Sequence, residues 1–474
     1  MRSLLNEAIL RILQESKDFK ELEIRLFEYI SGLVTEIMEE LLSAYDQELR
    51  DTRNKKELRL KDTKEKNLQT LFGDLKLKRR YYLDREGKSK FLLDEKLGIP
   101  AGEKKSPGLK ELSLELVQEG SYRRTRDELE KTLRQYVSHA AIHQWVQRTG
   151  ERIKKAEEKK SRDLFEYGAV PESQGKKQKM DLMFMEVDGL NIALQGEKKR
   201  RGEIKLGISY DGWEKRHPQS KEYKLRNKRY YGGEFESEKF WERTTAQTYE
   251  YYDFNEDAKV ILNGDGDSWI KKGEEYLPHL AYLSLDKFHW HREIRRVLGR
   301  SRYFFEVHES IVRKDQKALL ENLEKAKVSH PKSKAKEEIE RLKKYLLNNW
   351  EGLWDYREKI PGLPEDCRGL GGMESNIDKY ANRFKKKGMS WSRRGATNMA
   401  KVMNASANGN LKERLREYSW NIWEEAREHF ADRERSRRKV YPVRRGKIPA
   451  LAGPHRDRVW VKGLRQLLNP LSPN

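Results

Sequence analysis

Phe27, Ile30, Val34, Ile37, Leu41 and Ala44 alternate three- and four-residue spacings. That heptad seam predicts one helix over residues 20–45, and a seam this short is expected to pack within the chain's own helical bundle. Ahead of it, MRSLLNEAILRILQESKDF breaks its apolar residues with Asn6, Glu7, Arg11 and Glu15. This is the pattern of an amphipathic helix rather than of a signal peptide. Residues 49–66 are mostly charged, with few apolar anchors, and close an N-terminal helical region at residue 66. Over 67–97 the period shortens to two extended runs around Asp84-Arg85-Glu86-Gly87, which predicts a β-hairpin within an element spanning 67–105.

Helical punctuation returns at Ser106-Pro107, a cap followed by proline in the first turn. Gly120-Ser121 closes that helix and caps a second, which runs to about Leu133. Ser138 caps a third, HAAIHQWVQRTG. Three helices so spaced have the layout of a helix-turn-helix unit, assigned to 106–165. Ile142, Trp145, Val146 and Thr149 share one face of the third helix. That leaves His139, His143, Gln144, Gln147 and Arg148 on the others, where they suit base edges or phosphates. A plain three-helix packing unit is the competing explanation.

Residues 166–180, rich in Gly, Pro, Ser, Gln and Lys, read as a linker, and a different architecture follows. LMFMEVD (182–188) is a strand, Asp188-Gly189 is read as a turn into LNIAL (190–194), and EIKLGISY (203–210) is a third strand. Helix is expected over 237–251, strands at KVILNG (259–264) and AYLSLD (281–286), and a short helix from Ser268 between them. Three strands followed by helix–strand–helix–strand predict an α/β fold, a mixed sheet with helices on both faces. Residues 288–355 are helical in pattern, 358–372 loop-like, and a helix resumes over 373–387. The expected division is a core over 181–299 and 361–430, an all-α insertion at 300–360, and a basic tail at 431–474.

Charge changes the picture. The 474 residues hold 100 Lys+Arg against 78 Asp+Glu, a net +22. Residues 433–474 alone carry 12 Lys/Arg against Glu434 and Asp457. Such an excess points to a polyanionic partner, because neutralising phosphates releases counterions. No apolar run is long enough for a membrane span. The single cysteine, Cys367, excludes disulfide scaffolds and cysteine-based zinc ribbons, and suits a reducing compartment. With 11 Trp, 22 Tyr and 14 Phe, the chain has the apolar bulk for real cores.

Three carboxylates stand at telling places. Asp188 ends the first strand, Asp265 follows the fourth, and Glu374 opens the helix after the insertion. Acids meeting at strand ends could hold two Mg²⁺ ions, with Mn²⁺ substituting, and so activate a water or a 3′-hydroxyl for phosphodiester displacement. Each has a plain alternative: a hairpin turn at Asp188-Gly189, a first-turn acid at Glu374. The run Asn263-Gly-Asp265-Gly-Asp267 is not a calcium loop, since position one is Asn, position six is Ser268, and a strand precedes it. Asp267, at a helix start, has a sufficient role as a cap. Asp286, His289 and His291 lack a fourth zinc ligand.

These elements resemble the RNase H-like core of DDE transposases, and more closely the ISLre-type insertion-sequence transposases. The resemblance rests on EVDG (186–189), EIKLGISYDGWE (203–214), NGDGDSWI (263–270), LDKFH (285–289), GGMESNID (371–378) and KKKGMSWSRRG (385–395). LFGDLKLKRRYY (71–82) and the helix-turn-helix extend it over nearly the whole chain up to about residue 430. It implies a catalytic, metal-binding triad of Asp188, Asp265 and Glu374, with the insertion lying between the last two. It also implies an auxiliary pair, Asp286 and His289. Lys379, Arg383, Lys386, Arg393 and Arg394 are expected on DNA beside the site. The implied activity is Mg²⁺-dependent cleavage and strand transfer at the ends of a mobile element. The expected partners are double-stranded DNA and, in the DNA complex, further copies of the chain. The expected location is a prokaryotic cytoplasm. A non-catalytic DNA-binding protein and a structure-specific nuclease are the alternatives.

Overall fold

The computed structural model describes residues 2–99, 102–172 and 178–417. Within them the chain forms two compact units, one from residues 1–149 with a returning helix after 409, the other from 150–408. The predicted basic tail lies outside the described residues.

The first unit opens with α1 (Arg2–Glu15) and α2 (Phe19–Thr52). Asp18 caps α2 by accepting the Glu21 N–H at 2.8 Å. Then come β1 (Arg59–Gln69), β2 (Asp74–Leu83), β3 (Ser89–Lys90) and α3 (Leu92–Leu97). Antiparallel β1 and β2 turn at Thr70–Gly73, where the Thr70 N–H donates to the Gly73 carbonyl at 2.8 Å. The expected turn at 84–87 exists, but it leads only to the two-residue β3. The principal hairpin lies one strand earlier than the sequence suggests. Its first strand, RLKDTKEKNLQ, is solvent-exposed over its first seven residues and carries no apolar alternation to reveal it. One side of α2 covers this sheet. Met38 and Leu42 join Leu68, Leu75, Leu77 and Ile99 in a small core, and buried Asp46 accepts the Arg80 guanidinium at 2.8 Å. The heptad seam is not on that side, and among the described residues no element buries it: Phe27, Ile30, Ile37 and Leu41 stay 40–63% exposed.

The predicted trio follows as α4 (Pro107–Glu119), α5 (Tyr122–Leu133) and α6 (His139–Tyr167), with Ser106 and Ser121 capping as expected. The last helix, α6, does not stop at Gly150. It runs 29 residues and passes from the first unit into the second. Gly150 is tolerated mid-helix because a Cβ there would collide with the Asn398 backbone.

The second unit contains β4 (Gln178–Ala193), β5 (Arg201–Tyr210), β6 (Trp213–Lys215), β7 (Tyr223–Leu225), β8 (Arg229–Glu234), α7 (Ser237–Tyr251), β9 (Tyr252–Gly264), α8 (Ser268–Lys271), α9 (Gly273–Tyr276) and β10 (Leu280–Leu285). Five strands form one mixed sheet in the order β10-β9-β4-β5-β8. The first three are parallel to one another, β5 runs antiparallel to β4, and β8 runs antiparallel to β5 and so in the direction of β4. Asp188-Gly189 is not a turn. Strand β4 continues through it, with Asp188 opposite Leu206 and Gly189 opposite Lys205. The third antiparallel strand is instead β8, whose sequence RYYGGE hides it behind two glycines.

Alternation along β4 sorts its side chains. Met183, Met185 and Val187 enter a core with Phe240, Trp241, Trp269 and Ile270, under α7–α9. Phe184, Glu186 and Asp188 lie on the opposite face. That face receives the later helices. After α10 (Lys287–Leu298), α11 (Arg302–Val312), α12 (Gln316–Ser329), α13 (Ser333–Asn348) and α14 (Tyr356–Lys359) come α15 (Gly372–Phe384), which packs on β4, and α16 (Arg393–Ala407), which packs on β8. Helices α10–α13 close on a core of their own, including Ile294, Val307, Leu323, Leu342 and Leu346, so this helical group begins with α10, ahead of residue 300 where the insertion was expected to start. The short α17 (Leu411–Glu417) returns to the first unit against α4. No described helix is long and apolar enough to cross a membrane.

Candidate metal centre

Strand register assembles the site. Parallel pairing sets Glu186 beside Asn263 and Gly264 beside Leu285. Two residues beyond the first pair, Asp188 and Asp265 meet. Just beyond β10, Asp286 starts α10 and places His289 one turn in. Ligand atoms of Asp188, Asp265 and His289 all lie within 4.8 Å of one another, a group able to hold a metal ion. Glu374 stands at the rim, 56% exposed, its carboxylate 3.9 Å from His289 Nε2; His289 Nδ1 is 4.0 Å from Asp265. The imidazole therefore lies between the second and third predicted acids.

Electrostatics mark these carboxylates as short of positive charge. Burial pushes the Asp188 carboxyl up to about 7; His289 pulls it down, while Asp265 and Glu374 push it further up. Asp265 is also raised, first by burial and then by Asp267, against the lowering effect of the Asp267 N–H that it accepts at 3.0 Å. Among the described residues no Lys or Arg pairs with Asp188, Asp265 or Glu374. Clustered, partly buried oxygen donors without a compensating cation fit a divalent ion.

The backbone around the acids is fixed from outside the cluster. Gly266 has φ +87, and a Cβ there would meet Leu285 and Asn349. Tyr345 of α13 donates to the Asp265 carbonyl at 2.9 Å, tying the insertion to this loop. Asp267 heads α8, but its side chain makes no capping bond. Asp286 does cap: it accepts the Phe288 and His289 N–H groups at 2.9 and 3.2 Å, and so orients the helix bearing His289.

Glu186 is the residue that sequence reasoning missed. It is fully buried and accepts from Tyr210 Oη at 2.6 Å and Asn263 Nδ2 at 3.1 Å. It also accepts the N–H groups of Gly371, Gly372 and Met373 at 3.0, 2.9 and 3.3 Å. Asn263 donates in addition to Asp286 at 3.0 Å. One carboxylate thus joins β4, β9 and the N-terminus of α15: the strand carrying Asp188, the strand that leads into Asp265, and the helix carrying Glu374. A Cβ at Gly372 would press on Leu225 and Glu186, and Gly371 has φ +125, so the glycine pair lets the helix start reach the carboxylate. The sequence does hold a signal: a glutamate on the Asp188 face of an otherwise apolar strand.

The remaining predicted residues are scattered. On α6, His143, Gln144 and Arg148 are exposed and Gln147 is half-buried. Beside Glu374, Lys379 is exposed and lies 3.3 Å from Tyr230 Oη, and Lys386 pairs with Asp378 at 2.5 Å. Exposed Arg393 and Arg394 pair with Glu197 at 2.9 Å and Glu151 at 3.2 Å. Arg383 is a correction. It is wholly buried, its guanidinium over the Trp391 ring and bonded to Met389, so its side chain packs α15 inside the fold rather than standing on the surface expected for DNA.

A mixed α/β domain with a clustered carboxylate–histidine site is the class these features define. Residues 12–421 match the family described as "Uncharacterised protein family (UPF0236)", and the chain belongs to that family. It is 28% identical over 405 residues to the "UPF0236 protein in vanSb 3′region" of Streptococcus gallolyticus, covering 84% of this chain and 85% of that one. It is 25% identical over 412 residues to a UPF0236 protein of Caldanaerobacter subterraneus subsp. tengcongensis, covering 86% and 81%. The name of that relative joins eleven locus designations. A second protein from the same organism is 24% identical over 412 residues, covering 86% and 81%, and its name joins four.

Proposed function

We propose that this protein is a DDE-type DNA transposase with an RNase H-like core. The observation that carries the reading is the convergence of Asp188, Asp265 and His289, with Glu374 at the rim, on one side of a mixed sheet whose helical insertion falls between the second and third acids. The eleven loci joined in one relative's name support a gene that multiplies within a genome. Asp188 and Asp265 would hold a divalent ion, with His289 or Glu374 completing the protein's share. When bound, such an ion activates the attacking oxygen and stabilises the leaving one. The protein's own task is to fix the acids: Glu186 holds the start of α15, and Asp286 holds the start of α10. The exposed face of α6, with His143, Gln144 and Arg148, is the surface offered to element ends, and Lys379, Lys386, Arg393 and Arg394 the surface offered to the cleaved strand.

The test combines the full chain, Mg²⁺ or Mn²⁺, and a duplex carrying the inverted ends that flank its gene. Cleavage at the ends, followed by joining of the freed 3′-hydroxyls to a plasmid, supports the reading. Cleavage without joining assigns a nuclease, and binding without cleavage assigns a regulator.

A further inference from the structure

We infer that two copies of this chain pair through the exposed seam of α2, with the helices antiparallel. The inference does not depend on the proposed activity. Strand β2 and α3 take one side of α2, and the seam is left on another: Phe27 is 40% exposed, Ile30 45%, Ile37 47% and Leu41 63%, with Ala44 also exposed. At a typical side-chain area, these residues present roughly 400 Å² of apolar surface per chain. Two such faces together give about 800 Å². As the apolar core of an interface about 65% non-polar, that implies roughly 1,200 Å² in all, the lower edge of what a specific dimer needs. Three- and four-residue spacing is the geometry that a second helix fills, knob into hole.

The seam's own residues choose the partner and its direction. Pairing about a two-fold axis between Thr35 and Glu36 sets Phe27 against Ala44, Ile30 against Leu41, and Val34 against Ile37. Each layer thus places a larger side chain opposite a smaller or equal one, and one patch serves both chains. The next heptad positions outward are Lys20, Glu23, Glu48 and Asp51. Antiparallel pairing puts Lys20 opposite Asp51 and Glu23 opposite Glu48, one attraction against one repulsion. Parallel pairing would set all four against themselves. An interface at this lower edge of size is expected to be reversible.

Sedimentation velocity of the full chain, freed of nucleic acid, tests this across a concentration series. The expected result is a concentration-dependent dimer whose dissociation constant rises at least tenfold in Ile37→Glu/Leu41→Glu. Val328→Glu, at a still more exposed apolar position elsewhere, should leave it unchanged, and circular dichroism confirms that each variant is folded. With Cys367→Ser as background, a mixture of Phe27→Cys and Ala44→Cys chains should form a mixed disulfide, and Ala44→Cys alone none. A monomer at every concentration overturns the inference, and so does a dimer as strong in the double glutamate variant. If the chain dimerises only after truncation at residue 417, the seam is covered by the chain's own C-terminal segment and the inference fails. Cross-linking of Ala44→Cys alone overturns the antiparallel arrangement.

Discussion

Asp188 and Asp265 are placed by strand pairing, whereas Glu374 is placed by a helix start. Asp188 lies on β4 and Asp265 just past the end of the adjacent parallel β9, so their proximity follows from the register that pairs Glu186 with Asn263, and both are drawn into a partly buried cluster with His289. Glu374 is more than half exposed, and its closest approach to the cluster is to His289 Nε2, at 3.9 Å. Its helix is held by Glu186, a residue on the same strand as Asp188 but two positions away and fully buried. Rigid sheet geometry needs little help to bring two acids together. A third acid on a helix after a 109-residue excursion needs a dedicated anchor, and a buried carboxylate at the helix N-terminus supplies one.

The largest expected effect tests the sheet-borne half. Asp188→Asn and Asp265→Asn each replace a ligand charge with a neutral amide, and metal chemistry contributes several kcal/mol to such a reaction. Each should lower metal-dependent cleavage by about a thousandfold, given 1.36 kcal/mol per factor of ten, and abolish Mn²⁺ binding in calorimetry. Full Mn²⁺ binding by either variant would remove that residue from the centre.

The helix-borne half should respond differently. Glu374→Gln should cost about a hundredfold in cleavage and leave Mn²⁺ affinity within a few-fold, because Asp188, Asp265 and His289 remain. Glu186→Gln should act through position. A glutamine has one acceptor oxygen where the carboxylate has two, and its amide would face backbone N–H groups. Cleavage should fall about tenfold, with a loss of roughly 2–4 kcal/mol of stability in urea melts from the unsatisfied buried donors. Glu186→Asp, which keeps the charge, should recover part of both. If Glu186→Gln lowers stability but leaves cleavage untouched, the anchor is structural only, and the contrast between strand-set and helix-set acids loses its point.

The same contrast shows what could be read along the chain. Helix α7 and the all-α insertion follow from periodicity because their apolar stripes repeat many times. Strand β1 does not, since its charged residues face solvent and leave no alternation. The break placed at Asp188-Gly189 fails for another reason. A local turn signal there is overruled by cross-strand pairing with Leu206 and Lys205, and Glu203 occupies the space that Gly189 leaves. All three acids and His289 were legible as candidates because polar residues at strand ends are conspicuous. Glu186 was not singled out, since its partners lie up to 187 residues away. Arg383 was misread because a cation in a basic run suggests solvent, and only tertiary packing shows it stacked on Trp391.

A smaller effect should appear in the pH dependence of the metal-free protein. The Asp188 carboxyl is raised from 3.8 to about 7, chiefly by burial. The folded state therefore binds more protons than the unfolded one between those values, and stability contributed by this group falls as pH rises through that window. A divalent ion requires the ionised form, so its stabilising effect should grow as pH climbs towards about 7 and level off above. Thermal melts with and without Mn²⁺ at about pH 5 and pH 8 should show the larger Tm gain at the higher pH, and Asp188→Asn should flatten the difference. Equal gains at both would mean that Asp188 does not gate the site.

The smallest effect belongs to Asp267, two residues beyond Asp265. Both acids follow β9, and the sequence favours Asp265 as the ligand because Asp267, at a helix start, has a sufficient role as a cap. The structure separates them. Asp265 turns its carboxylate into the cluster, 4.0 Å from His289, while Asp267 is exposed and heads α8 without making a side-chain cap. What Asp267 gives Asp265 is its backbone N–H, at 3.0 Å, and that bond survives any substitution other than proline. Asp267→Asn removes one charge that raises Asp265, so Asp265 should ionise slightly more readily and cleavage should stay within about twofold of wild type. Asp267→Pro deletes the N–H and should cost more than the asparagine change. Comparing the three variants Asp265→Asn, Asp267→Asn and Asp267→Pro in Mg²⁺ and in Mn²⁺ separates charge from backbone. A dead Asp267→Asn beside an active Asp265→Asn would move the metal ligand two residues along the chain.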